Sequence, residues 1–165
     1  MKTLNVGCGN LPDGDVNLDL NVEDVGHRSA FRKIPAPPLA VKEIRNFIRA
    51  DALHLPFKDG AFKEALSNHV IEHVSSPELM LAEMLRVSRH RIIVKCPHML
   101  GEKKGNQFHF HHFNAKWFHS WAKSRGLLCQ VEVTRYKHFP HRYLHIVSLP
   151  KELTVIVLQK KHPKL

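Results

Sequence analysis

Short apolar stretches separated by polar segments are the dominant pattern along this chain. Stretches rich in β-branched and other apolar residues, bounded by Gly, Pro, Asn or Asp, are typical of strands. The pattern predicts strands at Thr3–Val6, Val16–Leu18, Phe47–Arg49, Glu64–Ser67, Arg91–Lys95 and Leu128–Tyr136. A last strand is predicted at either Leu144–Leu149 or Thr154–Gln159.

Two segments show helical spacing instead. The first starts at Ser76-Pro77-Glu78, a hydroxyl N-cap followed by proline and an acid. The second starts at Asn114 and ends at Gly126. Their apolar stripes, which we expect to face the core, are Met80, Leu81, Met84 and Leu85, and then Trp117, Phe118, Trp121 and Ala122. A short third helix is predicted at Leu39–Asn46, after a proline-rich loop.

Strands that alternate with helices indicate an α/β fold built from parallel βαβ units. At 165 residues the chain has the length of one domain, so we expect a single domain over residues 1–165. No apolar run is long enough for a membrane-spanning helix, and we expect no membrane partner.

The first two strands frame the strongest chemical signal. Gly7-Cys8-Gly9 follows the first strand, and Asp19 ends the second. Glycine allows a sharp turn and a close approach of the backbone to a ligand. A carboxylate at the end of the neighbouring strand can accept hydrogen bonds from both ribose hydroxyls. The stretch therefore predicts a pocket for a cofactor that contains adenosine.

Four blocks in this order resemble the class I S-adenosylmethionine-dependent methyltransferases, in particular a subgroup written roughly LNxGCGxxxxxGxxNxDxxP. The blocks are residues 4–20, Arg49–Phe57, Asp59–Phe62 and Ser67–Val74. The resemblance implies a Rossmann-like, open, mostly parallel sheet of about seven strands. It also implies an antiparallel C-terminal strand and helices on both faces.

The same resemblance implies S-adenosylmethionine as the cofactor. The contacts that it implies are Gly7, Cys8, Gly9, Asp19, Asp51, Ala52, Leu53, Asn68 and His69. For Asp51 the alternative is a carboxylate that only caps its own turn. Gly9 and Asp19 lie too close in sequence for a full helix between them. That helix would hold the pyrophosphate of NAD, so its absence argues against a nicotinamide cofactor.

His69 is the candidate catalytic residue. It follows the fourth strand at the ligand-binding edge, and its ordinary pKa near neutrality suits a general base. The alternative is a histidine that only shapes the pocket, with Glu72 and His73 orienting it. Cys96 could in principle act as a nucleophile, but a buried inert thiol is the simpler interpretation.

A histidine-rich stretch follows the fifth strand. Alternation along Phe108–Phe113 puts His109 and His111 on one face, and Phe108, Phe110 and His112 on the other. We expect His98, His109, His111 and His112 to line the side of the pocket that receives the methyl acceptor. The stretch contains no carboxylate and no recognised ligand spacing, so no metal site is assigned.

Charge is distributed unevenly. The formal net charge is −4 over residues 1–24, +1 over 25–85 and +13 over 86–165. The basic region suits an anionic acceptor such as nucleic acid, and the alternative is a charged surface that only keeps the protein soluble. Three cysteines without metal spacing suggest reduced thiols and a cytoplasmic protein.

Two functions follow from these observations. The first is a methyltransferase that acts on a small-molecule or nucleic-acid acceptor. The second is a basic, nucleic-acid-binding module on a methyltransferase fold that has lost catalysis.

Overall fold

The computed structural model describes residues 2–9, 11–21, 43–102, 107–138 and 147–159. These residues form a seven-stranded sheet in the order β3-β2-β1-β4-β5-β7-β6. The strands are β1 (Thr3–Val6), β2 (Val16–Asp19), β3 (Phe47–Arg49), β4 (Phe62–Asn68), β5 (Ser88–Pro97), β6 (Leu128–His138) and β7 (Val147–Leu158). The helices are α1 (Pro77–Val87) and α2 (Ala115–Ser124).

The predicted fold class is confirmed. β1 pairs in parallel with β2 and β4, and the parallel ladder continues to β3 on one side and β5 on the other. β7 runs antiparallel to both β5 and β6. All parallel strands therefore end at one edge, where ligands bind in open α/β sheets.

The two helices begin where their caps predict. Ser76 Oγ accepts a hydrogen bond from Leu79 N at 3.4 Å, and Asn114 Oδ1 accepts one from Trp117 N at 3.0 Å. α1 packs against β4 and β5, and α2 packs against β6 and β7. Most of the predicted stripes is buried, including Met80, Leu81, Met84, Phe118, Trp121 and Ala122. Half of the third predicted helix, Leu39–Asn46, lies outside the described residues, and the described half, residues 43–46, forms a turn instead of an α-helix.

The last strand differs from both sequence alternatives. β7 runs without interruption from Val147 to Leu158, so it overlaps the end of one predicted range and most of the other. Pro150 lies within it, opposite Arg135, beside a bulge in which Lys151 is the extra residue of β7. β7 pairs with β5 only over Glu152–Leu158, so Pro150 has a strand neighbour on one side only, which is β6. Proline is tolerated at bulges and on strand segments with one neighbour, and here it does not end the strand.

Two buried asparagines stabilise the short connection between β1 and β2. Asn5 Nδ2 donates to Leu11 O at 3.0 Å, and Asn17 Nδ2 donates to Gly14 O at 3.0 Å. The amide of Gly14 in turn donates to Asn17 Oδ1 at 3.1 Å. A Cβ on Gly14 would lie 2.7 Å from Val16 O, so only glycine fits. Side-chain amides thus satisfy backbone groups that a helix would otherwise satisfy.

Candidate functional site

The turn after β1 is built around Gly7 and Gly9, whose φ angles are 71° and 50°. The amides of Gly7 and Cys8 both donate to Leu18 O, at 2.7 and 2.9 Å. A Cβ on Gly7 would lie 2.2 Å from Val70 Cγ2. Gly7 is therefore required by the left-handed turn and by the close approach of the segment that follows β4.

Asp19 lies at the end of β2, directly beside this turn. Its carboxylate is 3% exposed and accepts hydrogen bonds from Gly9 N at 2.7 Å and Asn21 N at 2.9 Å. Asp19 thus shapes the glycine turn in addition to its predicted role toward a ribose.

The turn after β3 carries Asp51, Ala52 and Leu53. Asp51 Oδ1 accepts a hydrogen bond from Leu53 N at 2.9 Å, which is the turn-capping arrangement of the alternative interpretation. Asp51 Oδ2 lies 3.7 Å from His54 Nδ1. Ala50 N donates to Asp19 O at 3.1 Å, so the ends of β2 and β3 are held together. Ala52 is buried, whereas Leu53 is partly exposed beside it.

Asn68 ends β4 at the same edge, and His69 follows it directly. A cavity of about 20 Å³ lies between Asn68 and the first turn, lined also by Asn5, Gly7, Cys8, Leu11 and Asp13. That volume holds about one water molecule. A nucleoside would therefore have to lie in the open cleft above the strand ends. A wider cavity, about 400 Å³, lies at the opposite edge of the sheet, near Gly14 and Arg45.

His69 lies between two carboxylates. Its Nε2 is 2.9 Å from Glu152 Oε2, and its Nδ1 is 3.3 Å from Glu72 Oε1. The φ angle of His69 is 57°, in the left-handed region that non-glycine residues seldom adopt. Its amide donates to Lys95 O at 2.9 Å, which fixes this conformation. Backbone and ring are thus both held in place.

The two carboxylates govern the protonation of His69. Burial alone lowers the pKa of the ring, but hydrogen bonds and charge from Glu72 and Glu152 outweigh burial and raise the pKa above its ordinary value. A general base has to be neutral at working pH. The arrangement therefore favours the interpretation in which His69 shapes the pocket.

The predicted acceptor-side histidines divide into different environments. Phe108, Phe110 and His112 are exposed, whereas His109 and His111 are partly buried, as the alternation predicts. His112 Nδ1 lies 2.6 Å from Glu102 Oε2, and the His111 ring packs against Phe113. His98 is buried, and its Nδ1 accepts from Leu100 N at 3.1 Å. Burial and the charge of Arg135 lower the pKa of His98.

Backbone contacts connect this histidine-rich stretch to the segment after β4. Phe110 N and His111 N both donate to Glu72 O, at 2.9 and 3.3 Å. The rings of His73 and His109 lie 4.8 Å apart, edge to face. Residues close to His69 and residues of the 108–113 stretch therefore share one side of the sheet edge.

Glu102 and Glu152 are functional candidates that the sequence did not single out. Only three acids occur among residues 86–165, and these are two of them. An isolated acid in a strongly basic region is a signal that could have directed attention to both positions.

The three cysteines are free. Cys96 is fully buried, and burial, with the negative charges of Glu72, Glu102 and Glu152, raises the pKa of its thiol. A nucleophilic thiol needs the opposite shift, so Cys96 is a core residue. Among the described helices, none has the length and apolarity that crossing a bilayer requires.

Comparison with known proteins agrees with this architecture. Residues 17–92 match the family model of a methyltransferase domain. An 87-residue segment is 36% identical to an uncharacterized methyltransferase of Mycobacterium leprae and covers 52% of this chain and 32% of that protein. A 54-residue segment is 43% identical to an uncharacterized methyltransferase of Mycobacterium avium. This segment covers 33% of this chain and 21% of that protein. The chain thus matches about a third or less of the length of these relatives.

Solved structures extend the likeness over nearly the whole chain. One is a methyltransferase of Thermotoga maritima, described as a possible histamine N-methyltransferase, with a TM-score of 0.66 at 15% identity. The matched region covers 97% of this chain and 83% of the Thermotoga maritima chain. A methyltransferase of Archaeoglobus fulgidus gives a TM-score of 0.64 at 13% identity. The matched region covers 95% of this chain and 85% of the Archaeoglobus chain. At these identities the likeness establishes the fold.

The matched segment and the fold together confirm the resemblance to the class I S-adenosylmethionine-dependent methyltransferases that the sequence indicates. The narrower LNxGCG subgroup remains a prediction.

Proposed function

We propose that the chain binds S-adenosylmethionine and transfers its methyl group to an acceptor. The observation that carries this proposal is the convergence of four segments at the carboxyl edge of the sheet. The Gly7–Gly9 turn, Asp19, the Asp51–Leu53 turn and Asn68 follow four neighbouring strands. When bound, the cofactor supplies an activated methyl on a sulfonium, and the protein mainly has to position the acceptor.

Each segment has a proposed role toward the cofactor. The glycine turn lets the backbone approach the methionine portion, and Asp19 accepts from the ribose hydroxyls. Asp51 and Leu53 face the adenine. Ala52 between them is buried and packs beneath that turn. The net charge of −4 over residues 1–24 suits a cationic sulfonium.

We propose that the acceptor enters over His69 and the 108–113 stretch. Glu72, Glu102 and Glu152 make this part of the edge locally acidic, although the region that follows residue 85 is basic overall. A neutral or basic reacting group is therefore favoured beside His69. An anionic body of the acceptor, such as nucleic acid, would contact the basic surface further out. The three free thiols suit a reducing compartment such as the cytoplasm.

Calorimetric titration with S-adenosylmethionine and S-adenosylhomocysteine tests the proposal. We expect saturable binding, and about 10- to 100-fold weaker binding in Asp19→Asn, the scale for a charged hydrogen-bond partner. The asparagine keeps one oxygen for the Gly9 amide. Asp59→Asn is the matched control, because Asp59 is exposed and pairs only with Arg86 among the described residues.

Equal affinity in wild type and Asp19→Asn would contradict the ribose assignment. Absence of binding to either compound would favour the alternative function, a basic binding module on this fold.

A further inference from the structure

The most unusual cluster of side chains lies where the segment after β4 meets the 108–113 stretch. Glu72, His73 and His109 each bring one ligand-type atom into this cluster, and these atoms all lie within 4.8 Å of one another. Ligand atoms around a tetrahedral zinc ion stand about 3.3 Å apart, so small side-chain rotations would close the cluster on an ion. The contacts of Phe110 and His111 with Glu72 O hold the two segments together.

Negative charge in the cluster is incompletely compensated. Glu72 is 1% exposed, and Glu102 beside it has a side chain that is 5% exposed. Within the described part of the chain, Glu72 Oε2, Glu102 Oε1 and His109 Nδ1 are buried without a hydrogen-bond partner. A buried carboxylate needs a counter-charge or a metal ion, because its desolvation is costly. His69 is shared between Glu72 and Glu152, so it cannot compensate both fully.

His73 is oriented as metal ligands usually are. His73 Nδ1 lies 2.6 Å from Phe108 O, and a carbonyl can only accept, so Nδ1 carries the proton. In the neutral tautomer with this proton, His73 Nε2 is the nitrogen with a free lone pair, and it lies 4.0 Å from Glu72 Oε1. Ligating histidines commonly direct their second nitrogen at a backbone carbonyl or a carboxylate, as His73 does. His109 Nδ1 lies 3.3 Å from Glu102 Oε2, close to this carboxylate but without a hydrogen bond to it.

We propose that Glu72, His73 and His109 bind a divalent first-row transition metal ion of the zinc type. Two imidazoles and one carboxylate suit zinc and its neighbours, whereas magnesium and calcium prefer oxygen ligands. Three protein ligands leave a fourth position for water or for an acceptor atom. No metal site was assigned from the sequence because the histidine-rich stretch lacks a carboxylate and a recognised ligand spacing. The fold supplies the carboxylate from Glu72.

Titration of the metal-free, tag-free protein with Co²⁺ tests this site independently of methyl transfer. We expect one equivalent to bind with the visible absorption bands of a four- or five-coordinate ion, and Zn²⁺ to remove these bands. His109→Ala should weaken binding at least 100-fold. His119→Ala should bind like wild type, because His119 is exposed on α2.

Several outcomes would overturn the proposal: no saturable absorption, a stoichiometry other than one, or unchanged affinity in His109→Ala. If that variant fails to fold by circular dichroism, His73→Gln provides the same comparison. If the wild-type protein shows no absorption bands with Co²⁺, the buried carboxylates are neutralised by protonated histidines and not by a metal ion. Binding of S-adenosylmethionine to the metal-free protein can be measured in parallel, which separates this proposal from the proposed function.

Discussion

At the scale of single residues, two demands act on the same positions of the site. Gly7 makes the turn predicted for cofactor binding, but it also leaves room for Val70. Asp19 and Asp51 each accept a hydrogen bond from a nearby backbone amide through a carboxylate oxygen. Residues that a family pattern marks as functional are therefore also structural. Their replacement has to be judged by stability as well as by binding.

Gly7→Ala separates the two costs of replacing a glycine. The substitution adds a left-handed strain of about 1–2 kcal/mol and a clash with Val70 of about 1–3 kcal/mol. Gly60→Ala is the control, because φ is 59° there but the nearest atom, Arg89 Cγ at 3.1 Å, belongs to a flexible chain. Urea unfolding should show Gly7→Ala to be clearly the less stable variant. Adding Val70→Ala should recover the steric part, and failure to recover any of it would contradict the packing argument.

At the scale of elements, what could be predicted from the sequence depended on where the signal lay. Ser76 and Asn114 cap their helices through neighbouring amides, so a local pattern located α1 and α2 correctly. Glu152 contacts His69 across 83 residues, and no local pattern indicates such a pair. The continuous β7 was missed because proline normally ends a strand, and the bulge at Lys151 that accommodates Pro150 becomes visible only when β7 is paired with β6.

The C-terminal half of α1 also anchors the loop that carries Asp51. Arg86 donates to Leu55 O at 2.9 Å and Phe57 O at 2.7 Å, and pairs with Glu83 at 2.7 Å. Glu83 in turn accepts from Leu55 N at 2.8 Å. The Arg86 hydrogen bond outweighs the effect of burial and lowers the pKa of Glu83. A lowered folded-state pKa contributes stability above the unfolded pKa, and this contribution is lost as the pH falls through the folded value.

Glu83→Gln should therefore lower the free energy of unfolding by about 2 kcal/mol at pH 7, the scale for charged hydrogen bonds. The difference from wild type should shrink as the pH falls below about 4.5, where the Glu83 carboxylate begins to protonate in the unfolded chain, and it should vanish below the lowered pKa of the folded state. Glu78→Gln in the first turn of the same helix is exposed and should cost at most about 0.5 kcal/mol. Denaturant unfolding across a pH series measures both. A pH-independent difference would show that charge plays no part in this anchor.

At the scale of the whole molecule, the charge of the chain contrasts with that of its site. The net charge is +10, yet three carboxylates surround His69 and the neighbouring histidines. Positive charge outside the site can attract a large anionic partner while the acidic edge selects its reacting group. A bare surface charge, in contrast, would attract anions only weakly and without a preferred face.

Retention on immobilised RNA or DNA distinguishes these cases. If nucleic acid is the acceptor, the binding constant should fall steeply between about 50 and 200 mM salt, because each neutralised phosphate releases counterions. Lys116 and Lys123 are exposed on α2, in the basic region, and their joint replacement by Gln should lower the slope of log K against log salt by about 1–2. The matched control is Lys58→Gln with Lys63→Gln, two exposed lysines of the balanced region, which removes the same charge. Equal slopes in both double variants would mean that net charge alone drives binding. Absence of retention at 50 mM salt would exclude nucleic acid and leave a small-molecule acceptor at the acidic edge.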